Sequence, residues 1–202
     1  MALLLSGSGL MGKGILNTDI YKQKIHHLDI YEQINEINNY DLIVLPVDTD
    51  LIFLERNKEE LLTFLGDENK FLLSFAPFIN DIFSKHLIYH PSSMEIKDRE
   101  IRIIDSTFKG IREYDLNYRR GVKGFFCRGH INAFKDAKWL LNDNEHECVA
   151  AYWKEENKAH ILASAGADLL GFGLFDTTTA RLLGIRTFEF IESVFGQIER
   201  IK

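Results

Sequence analysis

Apolar residues along this chain come in two textures, and each predicts its own kind of element. Residues 42–46, inside YDLIVLPVD, and residues 71–73, inside KFLLSFAPFIN, are unbroken apolar runs bounded by polar residues. That is the pattern of parallel strands buried on both faces. Between them, residues 55–65 set Leu61, Leu62 and Leu65 on one side and Lys58, Glu59 and Glu60 on the other, followed by Gly66. This spacing predicts an amphipathic helix stopped by glycine. The three pieces form a strand-helix-strand unit with a right-handed crossover. After the second strand, Ser74-Phe75-Ala76-Pro77 predicts a sharp corner and INDIF a helix, the kind of corner on which many α/β enzymes mount a nucleophile.

The flanks extend the pattern. Residues 2–5 (ALLL) predict a first strand, HHLDI a short second one, and YEQINEINNY a brief polar helix or turn. From His86 to Arg128 the pattern breaks into short alternating pieces, with MEI and EIRII predicting a hairpin across Lys97-Asp98-Arg99. ECVAAYW and KAHILASAG predict paired strands turning at Glu155-Glu156-Asn157. Asp176 is expected to cap a last helix begun by Thr177, Thr178 and Thr179, whose Phe188, Ile191, Val194, Phe195 and Ile198 recur at helical spacing and face the sheet.

Composition narrows the class without changing this picture. The 202 residues suffice for one core, so residues 1–202 are read as a single domain. With 46% hydrophobic and 27% charged residues the chain is not disordered, and three prolines leave no linker. A net charge of -6 gives no overall attraction to nucleic acid or anionic lipid. The ALLL run is too short for a signal-peptide core, and no apolar stretch reaches the roughly 20 residues that span a bilayer, so a cytoplasmic protein with no membrane association is expected. Cys127 and Cys148 lack the spacing of a zinc site and are expected to be buried, reduced thiols.

Three stretches carry candidate chemistry. SGSGLMGKG offers Gly7, Gly9 and Gly12 for G-x-G-x-x-G, and Gly7, Gly12 and Lys13 for a phosphate loop whose last hydroxyl is replaced by Gly14. Asp29 would suit a ribose hydroxyl, and Asp48 stands where a magnesium-binding acid closes a strand. Residues 119–138 collect Arg119, Arg120, Lys123, Arg128, Lys135 and Lys138 against the single acid Asp136. Interleaved with Tyr118, Phe125 and Phe126, that segment would hold an anion, and it is the one place where nucleic acid could be met. Its first reading, however, is a solvated basic loop balancing acidic neighbours. Within it, an extended RGHIN puts Arg128, His130 and Asn132 on one face.

The order glycine loop, YDLIVLPVD, helix, KFLLSFAPF, insertion, ECVAAYW, KAHILASAGADLL and closing helix resembles the class I glutamine amidotransferase-like fold, in particular its ThuA-like branch. The resemblance spans nearly the whole chain. It implies a flavodoxin-like three-layer α/β sandwich with a mostly parallel central sheet and a small β-rich insertion. It carries the family's nucleophilic cysteine onto Ala76, its histidine onto Gly166 and its glutamate onto Asp168, while Ser74 lies two positions before the corner. Thioester chemistry needs a thiolate and a base, so glutaminase activity is not expected.

What the resemblance implies instead is a non-catalytic binding or assembly subunit, with a protein partner or a second copy, or a small anionic ligand held around Gly7, Ser8, Gly9, Lys13, Asp48, Arg128, His130, Asn132 and Asp168. Two alternatives stay open: a hydrolase with His130 as base and Asp48 or Asp168 orienting it or binding a metal, and a nucleotide binder using the loop from Gly7 to Lys13. No cofactor is specified by these patterns.

Overall fold

A computed structural model describes residues 2–5, 18–19, 21, 25–119, 121–124 and 126–201, with backbone alone at 2–5 and 197–201. The first strands are β1 (Ala2–Leu5), β2 (His26–Asp29), β3 (Leu42–Leu45) and β4 (Phe71–Ser74). The middle third holds β5 (Tyr89–Pro91), β6 (Ile101–Ile103), β7 (Tyr118–Arg119), β8 (Val122–Lys123) and β9 (Gly129–Ile131). The last third holds β10 (Lys138–Asp143), β11 (Cys148–Lys154) and β12 (His160–Ser164). The helices are α1 (Ile30–Gln33), α2 (Leu51–Arg56), α3 (Lys58–Leu65), α4 (Glu113–Asn117) and α5 (Leu182–Ile201).

Eight strands form one mixed sheet in the order β2-β1-β3-β4-β12-β11-β10-β6. The first five are parallel and the rest are joined antiparallel. The chain first builds outward from β1 to β2, then reverses to β3, so the β1/β3 boundary is a switch point, with the crevice outside the carboxyl ends of the strands. Every residue of β3 and β4 is buried, which explains their unbroken apolar runs: neither face meets water. The α/β layering is compatible with a three-layer sandwich.

Elements outside the sheet follow most of the sequence pattern, with four differences. The helix expected over 55–65 is two helices broken at Asn57, whose amide donates to the Phe53 carbonyl (2.9 Å). Asp50 starts the first by accepting from Phe53 N–H (2.9 Å), and Gly66 closes the second through its N–H to Leu62 O (3.0 Å). Leu61, Phe64 and Leu65 form the buried stripe, with Phe64 in the place expected of Leu62.

The corner after β4 is not followed by a helix. Pro77 holds Ala76 away from helical angles, and Phe78 makes an isolated parallel bridge to Ile88 while Tyr89 N–H donates to Phe78 O (2.7 Å). INDIF forms bends instead, its β-branched and Asn/Asp residues being weak helix formers; the Asn80 side chain bonds Glu55 on α2. Nor do MEI and EIRII form a hairpin. Residues 95–98 make a turn, Asp98 N–H to Glu95 O (2.9 Å), and β6 pairs with β10 instead. Finally, Asp176 caps nothing: α5 starts at Leu182 behind a 3-10 turn, Thr179–Arg181, and Asp176 pairs with Arg119 (3.1 Å).

The late hairpin β11/β12 forms as the pattern predicts, with Asn157 in its turn at φ 56°. Along α5, Phe188, Ile191 and Val194 are buried and the Phe195 ring lies 5.9 Å from Phe71 of β4. The insertion contributes two small antiparallel ladders, β5/β9 and β7/β8. Among the described residues, no helix is long and apolar enough to cross a membrane.

Candidate functional site

At the carboxyl margin of the parallel strands the described groups are few. Asp48 sits exposed in the turn after β3 and Asp168 sits buried after β12. Asp168 Oδ1 accepts from Leu170 N–H (3.0 Å) and Gly171 N–H (2.8 Å), while Oδ2 has no partner among the described residues. Burial raises the pKa of this carboxyl; the two amide donors oppose the rise and the Asp48 charge adds to it. The two acids are therefore brought within electrostatic reach of each other. Gly7, Ser8, Gly9 and Lys13 lie outside the described residues.

The position expected to carry a nucleophile carries a buried methyl. Ala76 is 4% exposed, between buried Phe75 and Phe78. Ser74 Oγ is buried without a partner among the described residues, on a strand rather than at a tip. After β12, Gly166 has φ 67°, a conformation that glycine adopts freely.

His130 is on the insertion side. It faces His90 directly across the β5/β9 ladder, ring centroids 5.3 Å apart. Its Nε2 lies 3.8 Å from Glu147 Oε2, so the carboxylate beside it is Glu147, rather than the expected Asp48 or Asp168, because the turn before β11 carries Glu147 up to β9. Arg128 and Asn132 lie just beyond the two ends of β9 and are exposed. The Asn132 carbonyl lies 3.0 Å from His86 Nδ1. An open groove of about 420 Å³ runs along this side, lined by Lys85, His86, Asn132, Trp139, Glu147 and Cys148.

A more enclosed cavity of about 140 Å³ lies within the insertion. Met94, Ile96, Ile101, Leu116 and Phe126 give it apolar walls, and Ser92, Arg99, Asn117, Cys127 and Arg128 its polar lining. Arg99 is 5% exposed and organises the wall. Its Nε and Nη2 donate to Asp143 Oδ2 (3.1 and 3.0 Å), Nη1 donates to Cys127 O (2.8 Å), and Nη2 donates to Gly129 O (2.6 Å).

The cavity abuts the end of β12. Cys127 Sγ lies 3.1 Å from the Ala165 carbonyl. The Tyr89 ring lies against Gly129, where a Cβ would come within 2.1 Å of it, so any larger residue would part β5 from β9. Burial pushes the Cys127 thiol pKa up, against the pull of Arg99, and pushes Cys148 up to about 12. Both cysteines are free, buried and protonated, as the sequence suggests.

The basic stretch 119–138 is largely spent on internal pairs. Arg119 meets Asp176, Lys123 meets Glu100 (3.4 Å), and Lys138 meets Asp105 (3.1 Å). Arg120 and Phe125 lie outside the described residues. Arg128, at the cavity, has no ion-pair partner among the described residues. Sequence reasoning singled out Arg128 but missed Arg99, Asp143 and Glu147. No local signal marks them, since each gains its partner only through pairing of distant segments. Among the described residues, no group of three or more His, Cys, Asp or Glu is placed to hold a metal ion.

No protein-family model matches this chain, and no curated protein does. It is similar in structure to Cytoplasmic Protein STM3548 from Salmonella typhimurium, with a TM-score of 0.55 and 14% identity over 94% of this chain and 98% of that one. At that identity the likeness concerns the fold alone.

Proposed function

We propose that this chain is a non-catalytic domain of class I glutamine amidotransferase-like build, of the ThuA-like branch, acting as a binding or assembly subunit that holds a small anion beside the carboxyl end of its sheet. The observation that carries this reading is the cavity against β12, where Arg128 has no ion-pair partner among the described residues while Arg119, Lys123 and Lys138 of the same basic stretch are paired. The parallel strands support it too. Their order, β2-β1-β3-β4-β12, is the 2-1-3-4-5 order of flavodoxin-like sheets, which supports the build named here. The nucleophile position is a buried alanine in a run without a helix behind it. A cytoplasmic location agrees with the name of the similar solved structure.

Acetate titrated calorimetrically into the purified chain at low salt, alongside an assay for ammonia release from glutamine, tests this. Heat of binding lost in Arg128→Gln, with no ammonia released, is the expected result. Sustained ammonia release would overturn it.

One observation favours a second reading, a hydrolase: His130 lies 3.8 Å from Glu147, which lines an open groove, and the pair supplies a base and a carboxylate to orient it. Turnover of an ester, phosphoester or glycoside that disappears in both His130→Ala and Glu147→Gln would establish it. Silence across such panels ends it.

A further inference from the structure

We infer that the insertion cavity takes a short aliphatic monocarboxylate, in preference to phosphate or any larger anion; the inference rests on the proposal that this cavity is the ligand site. The first ground is size. About 140 Å³ is close to the roughly 150 Å³ that admits benzene in an engineered protein cavity. That leaves room for about six non-hydrogen atoms, too little to enclose a nucleotide or a sugar phosphate.

The second ground is how the polar lining is committed. A guanidinium has five N–H donors, and Arg99 uses four: Nε and one Nη2 hydrogen on Asp143, the other Nη2 hydrogen on Gly129 O, and one Nη1 hydrogen on Cys127 O. One Nη1 hydrogen is left over on a residue of the cavity wall. Asn117 is fully engaged, its Oδ1 accepting from Ile101 N–H (2.7 Å) and its Nδ2 donating to Ile101 O and Glu113 O (2.9 Å each). The Cys127 thiol has the Gly129 and Ala165 carbonyls within reach.

Asp143 neutralises Arg99, so the net charge offered to a ligand is the single positive charge of Arg128. A dianion would exceed the one positive charge that Arg128 supplies, and the rest of the lining brings no second unpaired cation to meet it. A monoanion with a hydrocarbon body matches both halves. Its carboxylate accepts from Arg128 and the spare Arg99 N–H, and its methyl groups lie on Met94, Ile96, Ile101, Leu116 and Phe126.

Isobutyrate, which has six non-hydrogen atoms, is the probe. It should be titrated into the full chain in parallel with inorganic phosphate, acetate and neutral isobutyramide, and into Arg128→Gln and Arg128→Lys. The expected result is that isobutyrate binds at least tenfold more tightly than phosphate, acetate or isobutyramide, that Arg128→Gln weakens it at least tenfold, and that Arg128→Lys weakens it less.

Phosphate binding as tightly as isobutyrate, still dependent on Arg128, overturns the monocarboxylate assignment and leaves the anion site standing, whereas acetate binding as tightly overturns the part assigned to the apolar walls. Isobutyramide binding as tightly as isobutyrate overturns recognition by charge. Binding of none of the anions, or binding indifferent to Arg128, removes the site itself.

Discussion

Arg99 and Asp143, 5% and 1% exposed, meet at 3.0 Å inside the insertion, and the same guanidinium holds the carbonyls of Cys127 and Gly129. One side chain therefore ties the turn at 95–98, the strand β9 and the strand β10 together. A buried pair of this kind contributes little against a well-packed apolar substitute, but losing one partner strands the other charge.

Arg99→Ala is accordingly expected to lower the unfolding free energy by about 3–5 kcal/mol, read from urea denaturation, and Arg99→Met/Asp143→Leu to cost less than Arg99→Ala alone. A loss in the double variant equal to the sum of the losses in Arg99→Met and Asp143→Leu would show that the pair does not act as a unit.

Asn117 closes the outer edge of the sheet. It mimics a neighbouring strand for Ile101, accepting from its N–H and donating to its carbonyl, while Glu113 accepts from Ile103 N–H (2.8 Å). Asn117→Ala leaves a buried amide and carbonyl of β6 unpaired, with an expected loss of about 1–3 kcal/mol. Hydrogen exchange at Ile101 checks it: the amide should lose its protection in the variant before β11 and β12 lose theirs.

His160, at the start of β12, is held neutral. Burial lowers its pKa from 6.5 to about 4, helped by Lys154, and its Nδ1 shares a hydrogen bond with the Tyr152 hydroxyl (2.7 Å). Because the folded pKa lies below the unfolded one, this group's contribution to stability is complete above pH 6.5 and is lost on acidification between pH 6.5 and about 4. Stability of the wild type should fall across that window more steeply than that of His160→Gln. Identical slopes would deny the shift.

Cys127 and Cys148 should resist alkylation in the folded state, since their thiols are buried with raised pKa values and the thiolate is the reactive form. Labelling with iodoacetamide at pH 8 is expected to track global unfolding in urea. Fast labelling of Cys127 in native buffer would mean that the insertion opens on its own.

What could be read from the sequence was what depends on neighbours along the chain. Leu42, Ile43, Val44 and Leu45 are apolar in succession because both faces of β3 are covered, and the late hairpin announces itself through alternation on either side of Asn157. The corner at Ala76 was misleading because INDIF is compatible with several local conformations, and Pro77 and the Phe78–Ile88 bridge decide among them. The site was least legible. Arg99 looked like the end of a turn, and its partner Asp143 is 44 residues away. His130 was visible, but Glu147 comes beside it only when β9 and the approach to β11 are folded together.

The most direct measurement is a backbone amide chemical-shift map of the chain titrated with isobutyrate. The account predicts shifts confined to the cavity lining, around residues 92–101, 116–117, 124 and 126–128, and absent in Arg128→Gln. Shifts centred instead on Asp48 and Asp168, or persisting in that variant, would contradict it.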